Sequence, residues 1–215
     1  MPNKKAVVLL SGGLDSAVTL YFAKSKKYQC QALIFDYGQR HRREIEAAKC
    51  IAKRAGVKFE VIKISLPWKG SSLLDKRNIS RSRGSLIPNT YVPARNIIFL
   101  SFALSFAEAI KANAIFIGAH AQDYSGYPDC RSEFFHAFNK VASTGTKAGI
   151  EKNGVEIKTP LLNMGKADII RLGSRLRVPF ELTWSCYKGG RAPCGVCDSC
   201  HYRDKGFKEA GIKQI

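Results

Sequence analysis

The sequence reads as an α/β protein whose parallel sheet is covered by helices on both faces, and three observations predict it. Short apolar runs of strand length, residues 6–10, 30–35 and 57–64, alternate with amphipathic runs of helix length. That β-α-β-α-β order needs crossover connections, which make neighbouring strands parallel and lay helices over the sheet. Polar, glycine-bearing turns follow the first two strands, at the carboxyl ends where ligands of such sheets bind.

Residues 6–10 are five apolar residues with two valines, and Ala17, Leu20 and Tyr21 recur at helical spacing in the run to residue 26. Ser11-Gly12-Gly13-Leu14-Asp15-Ser16 is therefore a strand-to-helix turn. The second strand, 30–35, ends in Asp36-Tyr37-Gly38-Gln39-Arg40-His41, whose backbone suits an adenine ring. Ile45, Ala48, Ile51 and Ala52 then mark one face of a helix over 43–55, and 57–64 alternates as a third strand. From 65 to 93, proline, glycine, serine and arginine break every period, and a loop of that length in a compact domain is characteristically functional. Pro88-Asn89-Thr90-Tyr91-Val92-Pro93-Ala94-Arg95-Asn96 feeds an apolar helix over 97–110. A fourth strand, 114–118, runs into the polar stretch His120 to Arg131, and a fifth, 156–162, ends before Lys166, which opens the next helix.

The hexapeptide is built for an anion. Gly12 and Gly13 permit positive φ and close backbone approach, and the first amides of the helix that follows lack intrahelical acceptors. Ser11 and Ser16 add hydroxyl donors, and Asp15 is explained by a magnesium ion held against phosphates. Neither GxxxxGK[ST] nor GxGxxG is present. Arg95 and Asn96 stand at a helix entrance, where they either hold a phosphate or carboxylate or serve the start of a core helix. Asp123, Asp129 and Arg131 are candidates for substrate contact, and Tyr124 or Tyr127 for stacking on a heterocycle. Cys130 reads as packing and His120 as structural, while the ammonium of Lys166 stands where it can reach a triphosphate.

The 215 residues amount to one ordinary domain, with no apolar run of membrane-spanning length and no signal-peptide core after the basic start, so a cytoplasmic enzyme is expected. Thirty-five Lys and Arg against 17 Asp and Glu give a net charge of +18, which suits tRNA and anionic small substrates alike. The basic residues are dispersed over several helical stretches rather than gathered in one arm. Seven cysteines, four of them Cys186, Cys194, Cys197 and Cys200, point to reduced thiols and a metal site rather than disulfides. An iron–sulfur cluster is the rival to zinc. The Cys-Pro that closes ferredoxin runs is missing and the fourth thiol lies upstream, which favours a closed, structural zinc site.

SGGLDS after an N-terminal strand resembles the pyrophosphate loop of the N-type ATP pyrophosphatase superfamily. Together with FDYGQRHRREI, PNTYVPARN, DYSGYPDCR, TPL followed by Lys166, and the four cysteines, the chain resembles the 7-cyano-7-deazaguanine synthase family over nearly its whole length. That resemblance implies a Rossmann-like three-layer fold of the adenine nucleotide α-hydrolase type, a pyrophosphatase domain over 1–180 and a zinc-binding segment over 181–215. It implies ATP against Leu10, Ser11, Gly12, Gly13, Leu14, Asp15, Ser16, Ala17, Val18, Thr19 and Leu20, with Asp36, Tyr37 and Gln39 adding to the nucleotide site. Catalytic roles fall to Asp15, Ser16, Arg95 and Lys166, and substrate contacts to Arg95, Asn96, Asp123, Tyr127, Asp129 and Arg131. One zinc ion per subunit is held by the four cysteines, magnesium accompanies ATP, and the chain is a homodimer needing neither nucleic acid nor membrane. The reaction implied is conversion of 7-carboxy-7-deazaguanine to the nitrile with ATP and ammonia, free ammonia being expected because no segment is left for a glutaminase. Ala94 departs from the family pattern, which carries glycine before the arginine. Two rivals remain: a tRNA-modifying enzyme of the same superfamily, thiolase or lysidine synthetase in type, and a non-catalytic zinc-ribbon binder of nucleic acid.

Overall fold

The computed structural model describes residues 4–39, 42–68, 71, 73–74, 87, 90–120 and 126–214. Asp123 and Tyr124, with Arg40, His41 and most of the 65–93 loop, lie outside the described residues.

Five strands, β1 (Lys5–Leu9), β2 (Gln29–Asp36), β3 (Lys58–Lys63), β4 (Ala114–Phe116) and β5 (Glu156–Lys158), form one sheet in the order β3-β2-β1-β4-β5. Every pairing is parallel, with Val8 opposite Ala32 on one side of β1 and opposite Phe116 on the other. The helices are α1 (Leu14–Ser25), α2 (Arg43–Arg54), α3 (Arg95–Ala109), α4 (Ser132–Gly145), α5 (Lys147–Ile150), α6 (Lys166–Arg175) and α7 (Asp198–Ala210). Strand alternation sorts the core into two layers. Ala6, Val8, Ala32 and Ile34 face α1, α2, α6 and α7, whereas Val7, Leu9, Leu33 and Phe35 face α3 and α4. Fully buried side chains such as Phe116, Leu20 and Ile169 each contribute about 1.5–3 kcal/mol by leaving water.

The chain leaves β1 for β2 on one side of the sheet and later returns to place β4 on the other. The crevice at the carboxyl ends of β1 and β4 is therefore the switch point of the sheet.

Element boundaries shift by one to four residues from the sequence reading, and three of the shifts bear on the site. Helix α1 begins at Leu14 rather than 17, because Gly13 is its N-cap, and this puts Asp15 and Ser16 in the first turn. Helix α3 begins at Arg95 rather than 97, so Arg95 and Asn96 are likewise first-turn residues. The fifth strand stops at Lys158 rather than 162, since Pro160 has no amide for a ladder and residues 159–164 fold into turns bonded Leu162 N to Thr159 O and Met164 N to Leu161 O.

Of the two loop glycines, only Gly12 uses the left-handed region, with φ 87°; Gly13 has φ −75°. A Cβ on Gly12 would stand 2.1 Å from the Glu44 carbonyl oxygen. Gly12→Ala is expected to lower unfolding stability by about 2–4 kcal/mol, from the φ penalty plus the forced shift of α2, as measured by denaturant titration. A loss under 1 kcal/mol would mean that α2 yields freely.

Candidate functional site

The crevice contains a cavity of about 280 Å³. Its floor is the loop after β1, where Leu10, Ser11, Gly13, Asp15 and Ser16 reach the wall; Leu14, Ala17, Val18, Thr19 and Leu20 are buried behind it in the core. Ser16 organises the loop: its hydroxyl donates to the Gly13 carbonyl at 3.0 Å and accepts from the Ser11 amide at 3.2 Å and the Ser11 hydroxyl at 3.0 Å. The amides of Leu14, Asp15 and Ser16 have no intrahelical acceptor, so the loop presents fixed partial positive charge to the cavity.

Asp15 accepts from Lys166 Nζ with both carboxylate oxygens, at 2.8 and 2.9 Å. Lys166 Nζ also lies 3.0 Å from His120 Nε2. The same His120 nitrogen lies 3.6 Å from Asp15 Oδ2. Burial opposes ionisation of Asp15, but Lys166 and then His120 outweigh it and hold the carboxyl well below the usual range. Lys166 is placed by the crossing of α6 and α7, where Gly206 leaves room for its stem: a Cβ there would stand 2.5 Å from Lys166 Cγ. His120, read from sequence as structural, thus joins the charged cluster under the loop. Nothing in its local pattern distinguished it.

The opposite wall comes from α3 and the ends of β2 and β4. Arg95 donates to the Tyr37 hydroxyl at 3.3 Å, and its guanidinium lies 5.9 Å from the Tyr37 ring and 6.0 Å from Phe99. Ala94 takes φ 54° at the helix entrance, a conformation that costs alanine about 1–2 kcal/mol and glycine nothing, so the family's glycine would fit the same backbone. Asn96 donates its amide to Asp129 Oδ2 at 2.9 Å and its side chain to the Asp129 carbonyl at 3.0 Å and to Cys130 Sγ at 3.2 Å. Tyr127 lines the wall too, its hydroxyl 2.6 Å from Thr90 Oγ1.

Two candidates stand elsewhere. Arg131 is exposed at the N-cap of α4 and does not line the cavity, because the Pro128–Cys130 turn carries the chain away. Asp36 faces Arg42 at 3.8 Å, and Gln39 closes the turn after β2 by accepting from the Tyr37 amide at 2.9 Å and donating to the Phe35 carbonyl at 3.1 Å. Tyr37 and Gln39 line the cavity, and Asp36 does not. The structure adds residues that sequence reasoning passed over: Glu44, Tyr91, Phe99 and Tyr187.

The cysteine quartet lies beside this cavity. The four Sγ atoms of Cys186, Cys194, Cys197 and Cys200 lie within 4.8 Å of one another. A tetrahedral ion with bonds of about 2.3 Å needs sulfurs about 3.8 Å apart, so the donor set fits zinc with slight contraction. Amides of Lys188 and Cys194 donate to Cys186 Sγ at 3.4 and 3.3 Å, as suits a thiolate. One contact ties the segment to the loop and two tie it to α2: Trp184 N donates to Gly12 O at 2.9 Å, Arg43 donates to Arg191 O at 2.7 Å, and the Arg43 guanidinium lies 4.7 Å from the Trp184 ring. Arg203 of α7 fixes the strap from within, donating to Thr183 Oγ1 at 2.7 Å and Phe180 O at 3.0 Å.

Lys166→Met is expected to lower stability by about 2–3 kcal/mol at pH 7, because it leaves a part-buried carboxylate without its cation. The sign of the pH effect follows from Asp15. In the native chain its depressed pKa gives stability that is present above about pH 4 and lost as pH falls below it. Without Lys166, burial raises that pKa, so the deficit of the variant should shrink toward pH 4 in urea titrations at several pH values; a deficit independent of pH would refute the pairing. Cys197→Ser, or a strong chelator, should lower the melting temperature by at least about 5 °C and remove bound metal in elemental analysis.

The family model described as queuosine biosynthesis protein QueC matches residues 5–211. The chain is 54% identical over 216 residues to a 7-cyano-7-deazaguanine synthase of Thermoplasma acidophilum, covering 98% of this chain and 90% of that one. It is 51% identical to a protein of that name from Nostoc punctiforme, covering 97% and 96%. Among solved structures, NMN synthetase from Francisella tularensis aligns with a TM-score of 0.55 at 16% identity over all of this chain and 80% of that one. The U34-tRNA thiolase NcsA from Methanococcus maripaludis with its [4Fe-4S] cluster aligns at 0.50 and 16% over 98% and 68%. These two show the fold alone. With a matching family model over almost the full length and relatives above one-half identity, the chain belongs to the QueC family.

Proposed function

We propose that this chain is a carbon–nitrogen ligase converting 7-carboxy-7-deazaguanine, ATP and ammonia to 7-cyano-7-deazaguanine. Identity above one-half over nearly the whole length to synthases of that name carries the reading. The site supports it, since a loop of free helix-start amides faces a cavity with a half-buried guanidinium on the opposite wall. A heterocyclic carboxylate is a poor electrophile. Arg95 holds it against the loop, and its oxygen attacks the α-phosphorus of ATP while the amides of Leu14, Asp15 and Ser16 carry the charge of the departing pyrophosphate. Lys166, released from Asp15, joins that charge. Asp15 is the carboxylate that would hold magnesium, which supplies further neutralisation of the phosphates. Ammonia displaces AMP to give the amide, and a second adenylation followed by loss of AMP gives the nitrile. Asn96, Tyr127 and Asp129 line the end of the cavity where the heterocycle would lie.

In the same reading, residues 181–215 form a zinc-binding segment on a 1–180 catalytic domain, one zinc ion per subunit, in a cytoplasmic enzyme acting on small molecules without nucleic acid. No helix among the described residues is long and apolar enough to cross a membrane. A homodimer is supported by α3, which exposes Ile97 and Phe102 and carries no charged residue between Arg95 and Glu108.

Purified protein supplied with ATP, ammonium and the carboxylated base is expected to yield AMP, pyrophosphate and nitrile, two ATP consumed per nitrile. The same preparation should scatter light as about twice the 23.8 kDa chain. ADP and phosphate as products would remove the adenylates. Salt-sensitive tRNA binding without nitrile formation would favour the tRNA-modifying alternative.

A further inference from the structure

Glu44 is a titratable group of the cavity wall that neither the loop nor the substrate contacts employ. It is the second residue of α2, where a carboxylate ordinarily gains from the helix dipole. Burial overrides that gain and pushes the carboxyl up to about 7, although Arg95 is near enough to pull it back toward the ordinary range. No hydrogen bond to its carboxylate oxygens is made among the described residues. Its main chain is fixed, because the Glu44 carbonyl is the atom that Gly12 packs against. One rigid turn of α2 thus abuts the loop with its backbone and opens its side chain into the same cavity as Arg95.

We propose that Glu44 is the base that receives the N–H protons when ammonia is captured and when the amide becomes a nitrile. The proposal rests on the ligase reading above. In the first step the ammonia lone pair forms the C–N bond, one N–H proton passes to Glu44, and the C–O bond to AMP breaks with its electron pair. In the second the amide oxygen bonds to the α-phosphorus of another ATP as pyrophosphate leaves, and Glu44 takes one N–H proton as C=N forms. Departure of AMP with loss of the last N–H proton completes the triple bond. Between steps each proton passes from Glu44 to solvent. A carboxyl that titrates near the working pH is suited to such repeated uptake and release, an effect typically worth about 10²–10⁴ in rate.

The test is the pH profile of kcat for nitrile formation by wild type, Glu44→Gln and Glu44→Asp. Other ionisable groups face this cavity: Asp15, Arg95, Asp129, Cys130 and the tyrosines at 37, 91, 127 and 187, with Lys166 and His120 behind Asp15. They remain in every variant, so a limb that vanishes with Glu44 belongs to Glu44. Wild-type kcat should rise with pH through about 7 to a plateau. Glu44→Gln should lose about 100-fold at the plateau and lose the rise, with KM for ATP within about threefold. Glu44→Asp should keep a rise with a displaced midpoint, and this variant decides the matter if the glutamine variant does not fold. Retention of the wild-type profile by Glu44→Gln, an unmoved midpoint in Glu44→Asp, or loss confined to KM would overturn the assignment. Absence of AMP and nitrile with wild-type protein would instead refute the ligase reading.

Discussion

Gly12 is gripped on two sides by main chain, and the rest of the site takes its position from that grip. The Glu44 carbonyl of α2 occupies the space a side chain would need, and the Trp184 amide of the C-terminal segment donates to the Gly12 carbonyl. Because both contacts are backbone, the loop amides are aimed before any ligand arrives, and little reorganisation remains to be done on binding. The thiol quartet acts at a distance on the same atoms. The segment that carries the quartet sets Trp184 against the loop and against Arg43 of α2.

Two carboxyls in this crevice are driven in opposite directions by their surroundings. Asp15 has an ammonium on both oxygens and stays ionised. Glu44 has burial and only the field of Arg95, so it titrates near neutrality. A pair separated in this way divides the work: one acid suits fixed charge, the other proton traffic. Arg95 lies between the rings of Tyr37 and Phe99 on one side and the cavity on the other, and so remains cationic while facing the space an anion would enter.

Much of this architecture was legible in the sequence because its determinants are local. Apolar runs separated by helical periodicity gave the parallel order of the first three strands, and SGGLDS between a strand and a helix gave the loop. Cysteine spacing gave the quartet that the structure gathers within 4.8 Å. What escaped was set by distant packing. Glu44 looks like any acid in the first turn of an amphipathic helix, beside the exposed Glu46, and only the approach of Gly12 and Arg95 makes it a wall of the cavity. His120 could not be joined to Asp15 without knowing that β4 lies next to β1. Arg131 shared a polar stretch with Asp129, yet a single turn of chain separates their surroundings, one buried and the other in water.

The sheet order also bears on how the chain is assembled. Strand β1 finds β2 within the first 36 residues, but its other edge waits for β4, whose Ala114 pairs with Ala6. On a ribosome the central strand is thus made early and stays half-paired while about the next 80 residues are synthesised, with an open row of amides and carbonyls. The crevice comes into being only when that edge is closed, so nascent chains carry the glycine loop long before they possess the cavity it lines.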